Sequence, residues 1–180
     1  MKPVSGSPSL SEVALNTLLW EAAVMTLVIG FVELNLPKGK NDPRDFGWVL
    51  LSGALLETIA MGFIIADRNI FGATVAAAFI LLLWALGLPL AIGGGNRMAV
   101  NHAVWFTGLL FLGFTIFAAQ HGLYTLSVAL GLLVIVTIFL GAAGYTGNAA
   151  LRKIGAAASL VDGFVFLIMA YAGAVGIALP

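Results

Sequence analysis

The sequence contains no cysteine and only two histidines, and charged residues make up just 9% of its 180 positions. Without cysteine there is no disulfide bond, haem-thiolate or iron–sulfur cluster, and two histidines alone disfavour a structural zinc site. Eight basic residues balance eight acidic ones, so no basic field is available to hold a nucleic acid. A soluble domain has about 25% charged residues. This chain therefore lacks the polar side chains that would cover a surface facing water.

Hydrophobic residues account for 61% of the chain, which excludes a disordered polypeptide as well as an ordinary soluble globule. Six apolar stretches are each long enough to cross a hydrocarbon core about 30 Å thick, which requires about 20 residues. They run over 13–36, 46–66, 70–92, 101–119, 122–144 and 154–178. The stretches are continuous and do not alternate with polar residues as barrel strands do. The sequence therefore predicts an all-α integral membrane protein, a bundle of six transmembrane helices in contact with the lipid bilayer.

Short connections rich in glycine, asparagine, aspartate and proline separate the six stretches, as is typical of helix ends and turns. They leave no room for a domain outside the membrane, so residues 12–180 are predicted to form a single transmembrane domain. Residues 1–11, which are rich in serine, glycine and proline, are predicted to be flexible.

Lysine and arginine are distributed unevenly between the two sides of the predicted bundle. Six lie in the first, third and fifth connections, and two lie at the N-terminus and in the second connection. Because these residues favour the cytoplasmic side, the count predicts a protein of the cytoplasmic (plasma) membrane with both termini outside.

Four acidic residues and no basic residue fall within the predicted spans, so no salt-bridge partner for these acids can come from within the membrane part of the same chain. A charge at the bilayer centre costs at least about 2.5–3.5 kcal/mol, so each acid must be neutral, hydrogen-bonded or in contact with water. Glu57 lies nearest the midplane, and Glu33 is close enough to a helix end to reach water. We interpret Glu57, Asp162 and Glu21 as residues that line a polar pathway and exchange protons. In the alternative interpretation, a protonated acid only hydrogen-bonds a neighbouring helix.

Small residues stand four apart in the sixth span, at Gly155, Ser159 and Gly163. This spacing lets two helices approach closely, so we assign these three residues to helix packing. The chain has no Ser/His/Asp set, His-Glu-x-x-His motif, phosphate-binding loop or dinucleotide fingerprint. The sequence therefore predicts that the protein is not an enzyme and uses neither a metal nor a cofactor.

A motif between the second and third spans resembles one in a known family. The run Arg68-Asn69-Ile70-Phe71-Gly72-Ala73-Thr74 resembles the Gly-Asn-Thr-Phe-Gly-Ala-Thr motif of the acetate uptake transporter family, the small six-helix acetate/succinate permeases. Further similarities to that family occur at Gly53, Glu57, Ala60, Phe111, Phe114, 147–150 and Gly163. Glu57 stands where the family has glutamine, and residues 14–20 keep almost none of the family's first-helix motif, Asn-Pro-Ala-Pro-Leu-Gly-Leu.

The resemblance implies a hexamer of six-helix protomers, each with its own pore, that moves small monocarboxylates with or alongside protons. It implies substrate contacts at Asn69, Phe71 and Thr74, with Phe111 and Phe114 also on the substrate pathway. It further implies cytoplasmic termini, opposite to the orientation that the lysine and arginine count predicts.

The sequence leaves three functions open. The first is a proton-linked transporter or channel for a small monocarboxylate such as acetate. Because unpaired acids repel an anion, this function requires a protonated Glu57 that donates a hydrogen bond to the substrate. The second is a channel for a small neutral solute such as urea, an amide or ammonia, which tolerates acids in a narrow pore. The third is a structural subunit of a larger membrane complex. The short connections fit this function, but it does not explain why the chain has buried acids, which are costly to insert into a membrane.

Overall fold

The computed structural model describes residues 9–39, 41–93 and 97–180. Six α-helices occupy most of these residues: α1 Leu10–Glu33, α2 Pro43–Ala66, α3 Ile70–Ile92, α4 Arg97–Gln120, α5 Tyr124–Thr146 and α6 Ala149–Ala174. Each helix is long and apolar enough to cross a membrane. The expectation of an all-α, multi-pass membrane protein with six spans is confirmed.

The N-termini of five helices differ from the predicted boundaries, and that of α3 agrees. Helices α1 and α2 begin at residues 10 and 43, each three residues before the predicted 13 and 46. Helices α4 and α6 begin at 97 and 149, four and five residues before the predicted 101 and 154, and α5 begins at 124, two residues after the predicted 122. Helix α1 begins inside the segment predicted to be flexible because Ser9 and Glu12 form a capping box, in which each side chain accepts from the other's backbone N–H. Residues 1–8 of that segment, Lys40 and the glycine-rich stretch 94–96 lie outside the described residues.

Two glycines with left-handed backbone conformation end helices at the same side of the molecule. Gly93 has a φ of 70° and ends α3, and Gly147 has a φ of 67° and ends α5. Asn148 then begins α6, since its side-chain oxygen accepts from the backbone N–H of Ala150. These caps allow the chain to reverse direction over very short connections.

The six helices form a closed ring. Each packs against the next in chain order, and α6 returns to pack against α1. Because successive helices run in opposite directions, the start of α1, the α2–α3 and α4–α5 turns and the end of α6 share one end of the ring. We call this the terminal end, and we call the end with the α1–α2, α3–α4 and α5–α6 connections the loop end.

The contact between α1 and α6 depends on small residues. A Cβ atom added at Gly163 would lie 2.5 Å from Cγ of Leu27 and 3.0 Å from its backbone nitrogen. One turn away, the hydroxyl of Ser159 donates a hydrogen bond of 2.7 Å to the carbonyl oxygen of Thr26. A larger side chain at position 163 would therefore push α6 away from α1.

The same small-residue spacing serves the contact between α6 and α5. A Cβ atom added at Gly155 would lie 2.8 Å from Cγ of Leu140. The structure thus places Gly155, Ser159 and Gly163 in helix contacts within one protomer. These positions are occupied by the chain itself, so they supply no argument for an oligomer.

Candidate functional site

The ring encloses a cavity of about 320 Å³ near its terminal end. All six helices contribute to the wall. Exposed Leu15, Asn69 and Leu123 surround the mouth, whereas Phe111 and Leu133, which are 0% and 2% exposed, lie at the floor. Sites for small molecules range over about 300–1,000 Å³, so this volume suits a small ligand.

The cavity wall is almost entirely apolar. Within the described part of the chain, only Glu57 and Asn69 contribute polar side chains, and the remaining wall residues are leucine, valine, alanine, phenylalanine and glycine. Glu57 is 2% exposed, and its Oε2 has no hydrogen-bond partner among the described residues. An unpaired carboxylate is costly in apolar surroundings, so the neutral carboxyl group is the form that fits this wall.

Glu57 faces inward because it lies on the buried stripe of α2. Phe46, Leu50, Ala54 and Ile64 share that stripe, at the spacing of three to four residues that one helix face requires. The stripe is otherwise apolar, so Glu57 takes a position at which the helix pattern calls for a hydrophobic residue.

Glu21 lies behind Glu57, in the contact between α1 and α2. A Cβ atom at Gly53 would collide with Oε1 of Glu21 and would lie 2.7 Å from Sδ of Met25, so the glycine makes room for the acid. That Oε1 atom is buried and has no partner in the described structure. The carboxyl groups of Glu21 and Glu57 are close enough to interact electrostatically. Glu21 therefore affects the charge at the site without lining the cavity.

Asp162 lies beyond the floor of the cavity. It is fully buried, and neither carboxyl oxygen has a hydrogen-bond partner in the parts of the chain that the structure describes. Phe166, four residues later on α6, lines the cavity. At 1.5 Å per residue, Asp162 is about 6 Å further from the terminal end.

Packed side chains occupy the ring between the cavity and the loop end. Ile29, Leu50, Leu83 and Val104 come from four different helices, belong to one apolar cluster and are at most 4% exposed. The cavity therefore opens toward the terminal end and is separated from the loop end in this conformation.

The Arg68–Thr74 motif forms the turn between α2 and α3 and one edge of the cavity. Oδ1 of Asn69 caps α3 by accepting from the N–H of Gly72 at 2.9 Å. A Cβ atom at Gly72 would lie 2.9 Å from Nδ2 of Asn69, so the glycine leaves space for the cap. Phe71 lines the cavity, whereas Thr74 is exposed and donates its hydroxyl to the carbonyl of Ile70. The motif thus brings Asn69 and Phe71 to the cavity and leaves Thr74 outside it.

Phenylalanine rings cover the α3–α4 side of the cavity, which we call the aromatic wall. The ring of Phe114 lies 6.1 Å from that of Phe71 and 6.5 Å from that of Phe111, edge-on in both cases. Phe79 lies 6.3 Å from Phe111, and Phe117 lies 4.6 Å from Phe71. Phe71, Phe79 and Phe111 line the cavity itself, and Phe114 and Phe117 support them from behind.

Most of the wall was not predicted from the sequence. Leu19, Ala22, Val75, Ala76 and Phe79 line the cavity, but nothing in their spacing marks them. In a membrane helix the lipid-facing and the inward-facing residues are both apolar, so hydrophobic periodicity does not separate the two faces. Glu33, which was expected only to reach water at its helix end, also forms an ion pair at the loop end, where its Oε2 lies 3.5 Å from Nε of Arg152.

No protein-family model, curated protein or solved structure matches this chain. The resemblance to the acetate uptake transporter family therefore stays a prediction, and the function rests on the geometry of the cavity.

Proposed function

We propose that this protein is a transporter of a small monocarboxylate, such as acetate, whose passage is linked to a proton. The supporting observation is the placement of Glu57, whose Oε2 has no hydrogen-bond partner among the described residues, in a cavity that opens to one end of the ring and has Asn69 as its one other described polar side chain. A protonated carboxyl group has one O–H donor and retains acceptor capacity. It can therefore pair with the carboxyl group of a ligand.

The unpaired acids favour transport over a purely structural role. Buried Glu57 and Asp162 lie at two different depths of the ring, and neither has a basic partner in the described structure. Ionisable residues inside a membrane are costly and are typical of substrate and proton pathways. Two such acids at successive depths suit a protein that moves protons with its substrate.

The packed half of the ring supports a transporter that changes conformation rather than a permanently open channel. Since apolar side chains separate the cavity from the loop end, release on that side requires the helices to rearrange. Under this proposal the protein lies in the cytoplasmic membrane with the terminal end outside, as the lysine and arginine count indicates. The hexamer is proposed from the family resemblance alone.

A neutral solute such as urea or an amide is the second candidate. The observation that favours it is the absence of a basic side chain from the described cavity wall. A neutral solute needs no counter-charge there, and the carboxyl group of Glu57 can bond an amide as well as an acid.

The test is uptake of labelled acetate and labelled urea into proteoliposomes at about pH 5.5 and pH 7.5. Empty liposomes give the background, because neutral acetic acid crosses bilayers unaided. We expect saturable acetate uptake that is greater at the lower pH. Glu57→Leu should reduce it to background, whereas Thr58→Val, at the adjacent and exposed position, should leave it unchanged.

Two other outcomes contradict the proposal. Saturable urea uptake without acetate uptake would establish the neutral-solute channel in its place. Uptake of neither solute, by protein that is folded and inserted, would favour the structural subunit.

A further inference from the structure

The cavity is larger than acetate requires. An apolar cavity of about 150 Å³ is sufficient to bind benzene, and this one has a volume of about 320 Å³. Acetate has a single methyl group and would leave most of the apolar wall uncovered. Each further methylene group that a ligand buries strengthens its binding by about fourfold. The cavity should therefore bind a ligand with a longer or cyclic apolar body more tightly than acetate.

The charges around Glu57 favour a ligand whose head is neutral. Helix α2 packs against α1 and α3, and α3 contains no titratable residue. On α1, Glu21 is the acid that interacts with Glu57, while Glu12 and Glu33 lie at the two ends of that helix. The nearest described basic residues along α2 are Arg68, in the turn beside Asn69 and eleven residues from Glu57, and Arg44, thirteen residues away, or about 16 and 20 Å by the helix rise. Within the described part of the chain no cation therefore lies beside the Glu57 carboxyl group to compensate an anionic ligand head, and Glu21 adds to its repulsion.

The distribution of polar groups favours a ligand with a single polar end. Glu57 can pair with the head, and Asn69 lies at the mouth. The rest of the described wall offers Phe71, Phe79 and Phe111 on the α3–α4 side, and elsewhere aliphatic residues together with Phe166 of α6. A ring between these surfaces gains edge-to-face or offset contacts. A second carboxyl group would be buried without a partner, which disfavours dicarboxylic acids.

We infer that the preferred ligand is a monocarboxylic acid with an apolar body about the size of a benzene ring, bound in its neutral form with its carboxyl group paired to that of Glu57. This inference rests on the proposed function, because it names the substrate class of the same cavity. A primary amide of the same shape offers the same pairing and should bind there too.

The test is equilibrium binding of labelled benzoate to the full chain in lipid nanodiscs. Benzamide and benzylammonium serve as competitors of the same shape, the first neutral and the second cationic. Acetate tests the effect of a smaller apolar body, and succinate tests the effect of a second carboxyl group. The carboxyl group of benzoate is taken to ionise near the glutamate value of about 4.3, so its neutral fraction falls about 100-fold between pH 5.5 and pH 7.5. We expect benzoate affinity to fall by about that factor and benzamide affinity to stay constant.

Other results would overturn the inference. Tighter binding of benzylammonium than of benzamide would show that the site takes a cation on an ionised Glu57. Equal affinity for acetate and benzoate would refute the size argument, and stronger binding of succinate would refute the single polar end.

Two neighbouring alanines on α3 provide a matched pair of variants. Ala76 lines the cavity, and Ala77 is on the exposed face of the same helix. Ala76→Leu should weaken benzoate binding by about tenfold or more, because its side chain takes up ligand space, and Ala77→Leu should bind as the unaltered protein does. Unchanged binding by both variants, or equal loss in both, would show that benzoate binds elsewhere. The competitor series decides the question should Ala76→Leu fail to fold.

Binding and uptake separate this inference from the proposed function. Benzoate binding without saturable uptake of benzoate or acetate would refute the transporter and keep the ligand class. Saturable acetate uptake without benzoate binding would refute the ligand class and keep the transporter.

Discussion

The two halves of the ring differ in what lies between the helices. Toward the terminal end the side chains leave a cavity, and Glu57 is part of its wall. Toward the loop end Ile29, Leu50 and Leu83 are buried in one apolar cluster, and α1 and α6 approach closely. Each half holds a buried acid without a hydrogen-bond partner among the described residues, Glu57 in one and Asp162 in the other. A buried acid without a partner is therefore not enough to identify a binding site. A ligand can reach the acid only where there is open space beside its side chain.

The packed half also determines what transport would require. Under the proposed function, a ligand that leaves toward the loop end must pass the level of Asp162 after it has left Glu57. The apolar cluster blocks that step in this conformation. Asp162 is thus placed where a second acid would be met only after the helices rearrange.

The largest expected effect is a difference in thiol labelling that shows which end of the ring faces the cytoplasm. The chain has no cysteine, so one substitution supplies the sole thiol for labelling. Gln120 is exposed at the terminal end of α4, and Thr146 is exposed at the loop end of α5. We expect a membrane-impermeant maleimide to label Gln120→Cys but not Thr146→Cys in intact cells, because lysine and arginine concentrate at the loop end.

Labelling after the cells are permeabilised serves as the control and should modify both variants. The reverse pattern in intact cells would place the cavity mouth in the cytoplasm. It would also support the orientation implied by the family resemblance over the one implied by the charge count.

The next largest effect concerns the tight contact in the packed half. Gly163→Leu should lower the stability of the detergent-solubilised protein by about 3 kcal/mol, because the side chain collides with Leu27 and with its backbone. Gly113→Leu is the matched control, since a Cβ atom at Gly113 has nothing within 4 Å. Thermal unfolding followed by intrinsic tryptophan fluorescence measures both. Equal melting temperatures for the two variants would show that α6 does not approach α1 as closely as the structure places it.

Six spans could be predicted because apolar runs of this length have few other structures available to them. The boundaries of α3 were predicted to the residue, since the polar turn Asp67–Asn69 and Gly93 bracket it. The early start of α1 was not predicted, because the composition of residues 1–11 indicates a flexible segment. The capping box that Ser9 and Glu12 form in that region was not recognised. Local capping, rather than hydropathy, sets that boundary.

The site could be predicted only in its polar part. Glu57 stands out in the sequence because a charge within a span is costly, and the structure places it in the cavity wall. The same reasoning marked Asp162 and Glu21, which lie outside that wall. Residue type alone carries no information about the open space beside a side chain. That space depends on the closure of the ring, which only the packing of all six helices determines.

The smallest expected effect tests what the packed half does with its acid. Asp162 contributes two buried oxygens without partners in the described structure, and an unsatisfied buried polar group costs about 1–3 kcal/mol. Asp162→Val should therefore raise stability by about 1 kcal/mol, while Asp67→Val, at an exposed aspartate, should leave it unchanged. Higher stability with lost acetate uptake would mark Asp162 as an acid kept for transport at the expense of stability. A fall in stability would instead show that Asp162 hydrogen-bonds a neighbouring helix, the interpretation in which it only holds the ring together.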